Sequence, residues 1–217
     1  SAVLGFPRIG PQREVKKALE AYWGDKISAE ELLKVAKEQR LNTYATIKEQ
    51  GVDFVPTGTF SLYDHVLDMS NTLGIIPEAY AKSGLSQLDT YFAMARGHQK
   101  GGVDLPATEM KKWFDSNYHY LVPEFSEKSE FKLNDNKPVD DFIEAKEAGY
   151  NARPVILGPL TLLWLGKTSK DAQDPNFNRY SLLPKLAQTY VQLFEKLAAA
   201  GAPWVQLDEP ILVVDTA

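Results

Sequence analysis

Short apolar runs alternate with amphipathic segments along the chain. Runs typical of buried strands occur at residues 2–9, 52–56, 119–125, 154–157 and 204–207. Apolar residues at helical spacing predict helices at 12–23, 28–50, 86–96, 107–118, 138–148 and 181–200, with loops at 97–106 and 166–180. A repeated order of strand and helix predicts an α/β fold with a parallel sheet and right-handed crossovers.

The positions of polar residues favour a barrel within this class. Thr57, Glu124, Asp208 and Glu209 follow apolar runs, as functional groups do at the carboxyl ends of barrel strands. Eight units of this size would need roughly 350 residues, whereas the chain has 217. We therefore predict an incomplete (β/α)8 TIM-type barrel of about five parallel strands with flanking helices, forming one partial domain over residues 1–217.

Composition and charge narrow the possible functions. Hydrophobic residues make up 44% and charged residues 24%, which is typical of a folded globular chain and excludes a disordered one. Without cysteine, the chain has no disulfide, thiolate zinc site or cysteine nucleophile. A net charge of −5 argues against a nucleic-acid surface. No apolar run reaches the ~20 residues of a membrane span, and no signal peptide is evident, so we expect a cytoplasmic protein.

The first candidate site is a basic segment near the start of the chain. Arg8, Arg13, Lys16 and Lys17 lie within ten residues, opposed only by Glu14. Arg13 and Lys16 are three residues apart and share a face of the predicted helix. Cations at a helix amino terminus are unfavourable unless an anion binds there. The segment is therefore either an anion site or a solvated basic face.

Two further segments carry candidate chemistry. Residues 109–120 are rich in aromatic and polar side chains, which suits a ligand wall, although a helix packing Met110, Trp113 and Phe114 into a core explains them equally. Glu124 and Glu209 lie at predicted strand ends, where carboxylates can do acid–base work or simply cap loops. Asp208 and Glu209 are adjacent and face opposite sides of a strand, so they are not expected to act as one pair.

Several unusual segments resemble one enzyme family. They are LGFPRIG (4–10), REVKKALEAYW (13–23), SLYDHVL (61–67), EMKKWFDSNYHYLVPEF (109–125), PVILGPLTLLWLGK (154–167) and WVQLDEPIL (204–212). Together they resemble the amino-terminal part of the cobalamin-independent methionine synthases. These enzymes transfer a methyl group from 5-methyltetrahydropteroyltri-L-glutamate to L-homocysteine.

The resemblance implies a role for this chain in folate binding. The family's polyglutamate-binding positions match Arg13, Glu14, Val15, Lys16 and Lys112. The family's zinc, its cysteine, histidine and glutamate ligands and its homocysteine site belong to a second barrel that is absent here. The resemblance therefore assigns no catalytic residue and no metal ligand to this chain. We expect an inactive fragment of a longer polypeptide, whose partners are polyglutamyl folate and the remainder of that polypeptide.

Two alternatives stay open at this point. The chain could be a barrel hydrolase with Glu124 and Glu209 as acid and base, which requires their carboxyl groups to lie roughly 5–9.5 Å apart. It could also be a non-catalytic scaffold that is indifferent to folate, with Arg13, Lys16 and Lys112 scattered over its surface.

Overall fold

The structure, a computed structural model, describes residues 1–215 as short strands and helices of mixed length. The helices are α1 (Glu14–Trp23), α2 (Ala29–Glu49), α3 (His65–Thr72), α4 (Glu78–Ala81), α5 (Gln87–Arg96), α6 (Lys137–Glu147), α7 (Pro159–Leu165) and α8 (Leu183–Ala199). The strands are β1 (Val55–Thr57), β2 (His98–Lys100), β3 (Val103–Leu105), β4 (Met110–Lys112), β5 (His119–Leu121), β6 (Glu124–Phe125), β7 (Ala152–Leu157), β8 (Lys167–Thr168) and β9 (Gln206–Asp208). Two 3₁₀ turns lie at Arg179–Leu182 and Pro210–Val213.

The strands form four small sheets among the described residues. The largest has three strands in the order β1-β7-β9, and β1 pairs with β7 in parallel. A second parallel pair joins β6 to β8, and two antiparallel hairpins are formed by β2–β3 and by β4–β5. The fold is therefore mixed α/β with parallel strands and flanking helices, as predicted, but its sheets are small and do not close on themselves.

Strong helix signals in the sequence mark real helices. Helix α2 begins at a capping box in which the Ser28 hydroxyl accepts from the Glu31 N–H and the Glu31 carboxylate accepts from the Ser28 N–H. The predicted helices at 12–23, 86–96, 138–148 and 181–200 correspond to α1, α5, α6 and α8. These helices combine a buried stripe with a recognisable amino-terminal residue or a following glycine, so local sequence specifies them well.

The predictions for residues 97–118 were wrong. Residues 97–106 form the β2–β3 hairpin rather than a loop, and 107–118 contain β4 rather than a helix. The chain turns back between Trp113 and Tyr118, through residues that favour turns. Residues 2–9 contribute only one parallel bridge, between Ala2 and Phe54, because Gly5 and Pro7 interrupt the run. The predicted strand 119–125 is divided into β5 and β6.

The chain folds into two compact units. The first comprises residues 1–62, 138–155 and 197–206, and its core includes Val15 and Leu32. The second comprises residues 63–137, 156–196 and 207–215, and its core includes Phe125, Leu162 and Leu186. Within residues 1–215, no helix is both long and apolar enough to cross a membrane.

Candidate functional site

The first unit places Arg13 and Lys16 together at the amino-terminal end of α1. Arg13 takes the N-cap position in the left-handed conformation (φ 62°), without a side-chain capping bond, and is exposed. Lys16 is also exposed, and its Nζ lies 3.6 Å from Oε1 of Glu20, one turn along the helix. An exposed i,i+4 pair of this kind is weak, so both cations stay accessible to an anion.

Glu14 and Val15 anchor this segment rather than extend its charged face. The Val15 side chain is fully buried, and its N–H donates to the Ile9 carbonyl at 3.1 Å. Oε2 of the half-buried Glu14 accepts from the Gln12 N–H at 3.0 Å and lies over Gly10. Gly10 adopts φ +86°, which other residues rarely adopt. The structure thus divides the predicted residues into two exposed cations and two supporting residues.

The second unit places Lys112 on an exposed antiparallel hairpin. In this β4–β5 hairpin Met110 lies opposite Leu121, Lys111 opposite Tyr120, and Lys112 opposite His119. Strand β4 is exposed throughout, whereas Tyr120 and Leu121 of β5 are buried. The hairpin therefore holds β4 at the surface of its unit with β5 beneath it.

The two neighbouring lysines of β4 differ in their surroundings. Nζ of Lys111 lies 3.4 Å from Oε1 of Glu109. Lys167 also contacts Glu109 at 2.7 Å and reaches Glu124 at 3.1 Å. The exposed Lys112 side chain, by contrast, has no ion pair or hydrogen bond within residues 1–215. Lys111 is thus partly neutralised, while the charge of Lys112 is available to a ligand.

Aromatic rings support the turn of the hairpin. The His65 ring lies 4.4 Å from the Trp113 ring, edge to face, and 5.5 Å from the Tyr118 ring. Phe114 stacks on Trp164 with ring centroids 5.2 Å apart and planes 10° from parallel. The aromatic residues that suggested a ligand wall therefore mostly contact one another, which favours a structural role for them.

A buried carboxylate connects α3 to the same hairpin. The Asp64 side chain caps α3 by accepting from the N–H groups of Val66 at 2.8 Å and Leu67 at 3.2 Å. Its Oδ2 also accepts from the Leu121 N–H of β5 at 3.1 Å. Burial raises the pKa of Asp64 to about 7, although these three N–H donors act in the opposite direction.

Glu124 and Glu209, the carboxylates of the hydrolase alternative, are both occupied. Glu209 accepts from the N–H groups of Leu160 at 2.9 Å and Thr161 at 2.7 Å and from the Thr161 hydroxyl, so it caps the start of α7. Glu124 pairs with Lys167. Capping and ion pairing account for both side chains, and this geometry gives the hydrolase alternative no support.

Comparison with known proteins identifies the family. The family described as "Cobalamin-independent synthase, N-terminal domain" matches residues 1–217. The chain belongs to this family. The resemblance seen in the sequence is therefore confirmed over the full length of the chain.

Three curated relatives of this chain are named as the same enzyme. A protein of Schizosaccharomyces pombe, named a probable 5-methyltetrahydropteroyltriglutamate–homocysteine methyltransferase, is 55% identical over 99% of this chain and 28% of its own length. Proteins of Saccharomyces cerevisiae and Caulobacter vibrioides with that enzyme name are 53% and 50% identical, each over 99% of this chain and 29% of their own length. The chain thus spans less than a third of the length of these relatives.

The sequence did not indicate that Asp64 and His65 contact the β4–β5 hairpin. Both lie in the segment SLYDHVL (61–67), which contributes to the resemblance but to which the sequence assigns no role. No group of three or more His, Cys, Asp or Glu residues in the described part of the chain could hold a metal ion. The contact between Asp64 and Leu121 spans 57 residues, so no local pattern indicates it.

Proposed function

We propose that this chain is the amino-terminal part of a methyltransferase that makes methionine by transferring a methyl group from 5-methyltetrahydropteroyltri-L-glutamate to L-homocysteine. The observation that carries the proposal is the family match over residues 1–217, together with the shared enzyme name of relatives at 50–55% identity. The finer predictions, a partial (β/α)8 barrel domain and a cytoplasmic location, are part of the same proposal.

The chain's own contribution would be to bind the folate tail. A triglutamate tail is a polyanion, and Arg13, Lys16 and Lys112 are exposed cations in an acidic chain. Glu14 and Val15 would hold the α1 segment in place. Lys112 is favoured over Lys111 because Glu109 already compensates the charge of Lys111. A charge-assisted hydrogen bond to a carboxylate is among the stronger polar contacts available to a protein.

Zinc and homocysteine would be bound outside this chain. Zinc sites are built from cysteine, histidine and carboxylate ligands, and the chain has no cysteine and only three histidines. The residues present therefore do not fit a zinc centre of the kind the resemblance implies. We propose that the remainder of a longer polypeptide holds both, and we assign no catalytic step to residues 1–217.

Calorimetric unfolding tests the proposal. The protein is heated alone, with triglutamyl 5-methyltetrahydrofolate, and with the monoglutamyl form. Since a ligand that binds only the folded state adds about 2.7 kcal/mol at a hundredfold excess over its Kd, the triglutamyl form should raise Tm more than the monoglutamyl form. Equal shifts, or none, would contradict a tail-binding role.

Single substitutions then locate the tail contacts. Lys112→Ala and Lys16→Ala should weaken triglutamate binding about tenfold or more each, which is the loss expected for one charged hydrogen bond. Lys111→Ala and Lys17→Ala are the matched controls, because each removes a neighbouring surface lysine. If the control variants lose as much affinity as Lys112→Ala and Lys16→Ala, general surface charge rather than a tail site explains the binding.

A further inference from the structure

We propose that Asp64 and His65, at the start of α3, are positioning residues that hold the β4–β5 hairpin so that Lys112 faces the folate tail. The inference rests on the proposed function and extends it to residues that would not themselves touch the ligand. Three observations support it: the bond from Leu121 to Asp64, the contacts of His65, and the small size of the hairpin.

The hairpin needs support from outside itself. Its ladder consists of three residue pairs, and β4 is exposed along its whole length. Two-stranded hairpins are marginally stable in water without further packing. A lysine on such a ribbon would sample many positions, and ordering it on binding would cost affinity. Pre-ordering the ribbon would reduce this cost.

Asp64 supports β5 through the backbone. The Val122 N–H donates across the hairpin to the Glu109 carbonyl at 2.8 Å, whereas the preceding Leu121 N–H donates to Asp64. The Leu121 N–H points away from β4 and takes no part in the ladder, and Asp64 accepts its hydrogen bond. The same carboxylate caps α3, so it joins a helix and a strand through one buried group.

His65 supports the turn end of the hairpin. Its Nδ1 lies 3.3 Å from the Tyr118 hydroxyl, and its ring packs against Trp113, the residue that follows Lys112. Tyr118 precedes His119, the cross-strand partner of Lys112. The two consecutive residues therefore contact the hairpin on either side of the Lys112–His119 pair, Asp64 at Leu121 and His65 at the turn.

The test compares variants that separate the cap of α3 from the contact with β5. Asp64→Ser keeps a hydroxyl that can cap the helix but is too short to reach Leu121. Tyr118→Phe removes the hydroxyl that faces His65 while retaining the ring. Ser86→Ala is the matched control, because Ser86 caps α5 in the same unit through the Asp89 N–H at 3.1 Å. Binding of triglutamyl and monoglutamyl 5-methyltetrahydrofolate is measured by titration calorimetry on the full-length polypeptide.

We expect Asp64→Ser and Tyr118→Phe each to weaken triglutamate binding by about three- to tenfold, as when one charged hydrogen bond is partly lost. Monoglutamate binding should not change, and Ser86→Ala should change neither. In the double variant Asp64→Ser/Lys112→Ala, affinity should equal that of Lys112→Ala alone, because Asp64 acts through that lysine.

The possible failures are distinguishable. If Lys112→Ala weakens triglutamate binding but Asp64→Ser and Tyr118→Phe do not, the positioning role is wrong and the proposed tail site stands. If the losses of affinity from Asp64→Ser and Lys112→Ala add fully, Asp64 affects binding independently of Lys112 and the inference is also wrong. If Lys112→Ala has no effect, the tail contact itself fails, and the positioning role fails with it.

Discussion

The two compact units bury carboxylates in different ways. In the first unit, Glu144 lies against Arg40, whose Nε and Nη2 donate to its two oxygens at 2.7 and 2.9 Å, and Asp141 lies 3.8 Å from the same guanidinium. In the second unit, Asp64 receives only backbone N–H groups, and no cation pairs with it in the described residues. In the first unit the charge of Arg40 compensates the carboxylates, whereas in the second unit only backbone N–H dipoles compensate the carboxylate of Asp64.

The difference has consequences for ionisation. Burial acts to lower the pKa of Arg40, but the hydrogen bond with Glu144 and the charges of Asp141 and Glu144 outweigh it, so the pKa is raised. Arg40 therefore stays charged at any physiological pH. Asp64 has no such partner, and burial dominates its pKa. The first arrangement is sensitive to the loss of a partner, and the second is sensitive to pH.

The largest expected effect comes from removing Arg40. Arg40→Met should lower the free energy of unfolding by about 3–5 kcal/mol, because it leaves Glu144 and Asp141 buried without their cation. Urea unfolding of the purified chain measures the change. Lys37→Met is the control: Lys37 reaches Glu144 only at 3.9 Å from an exposed position, so its loss should cost about 0–1 kcal/mol. If both variants lose the same free energy of unfolding, burial does not make the ion pairs of Arg40 more important for stability than the exposed contact of Lys37.

The next effect is the pH dependence due to Asp64. The folded pKa of about 7 lies above the value near 3.9 for an unfolded chain, so the folded state binds more protons in between. Stability should therefore fall as pH increases from about 4 to about 7, by on the order of 4 kcal/mol from this group. Urea unfolding across this range should show a smaller fall for Asp64→Asn.

The control for this prediction is Asp115→Asn, which neutralises an exposed aspartate in the turn of the hairpin. Its pH dependence should match that of the unmodified chain. Asp68 adds to the raised pKa of Asp64, and the N–H groups of Leu121, Val66 and Leu67 oppose it. Identical pH profiles for Asp64→Asn and the unmodified chain would mean that these donors keep Asp64 ionised in spite of burial.

The two regions also differ in how far the sequence predicts them. The capping box at Ser28 and the stripe of α2 are local, and the helix that carries Arg40 was predicted within a residue at each end. Residues 107–118, which carry Lys112, were predicted as a helix because Met110, Trp113 and Phe114 have the i, i+3, i+4 spacing of one helix face. The turn between Trp113 and Tyr118 and the contact of Asp64 with Leu121 decide the outcome, and tertiary packing determines both.

The predicted binding residues show the same division. Arg13, Lys16 and Lys112 were selected by charge and resemblance, and the structure places all three at the surface. The distinction between Lys111 and Lys112 could not be predicted, because it depends on Glu109 lying next to Lys111 and Lys167. Sequence pattern therefore indicates which residues are candidates, whereas the fold decides which of their charges are already compensated.

The smallest expected effect concerns Glu209 and Glu124, which the sequence offered together as an acid–base pair. Glu209 resembles Asp64, since it receives two backbone N–H groups at a helix start, and Glu124 has only a partly exposed ion pair with Lys167. Glu209→Ala should lower the free energy of unfolding by about 1–2 kcal/mol, as does the loss of other helix caps. Glu124→Ala should cost less than about 1 kcal/mol. Thermal unfolding of both variants measures the difference.

A larger loss of stability for Glu124→Ala than for Glu209→Ala would contradict this prediction. It would mean that the ion pairs of Lys167, rather than backbone capping, stabilise this unit, so that compensation by charges is not confined to the first unit.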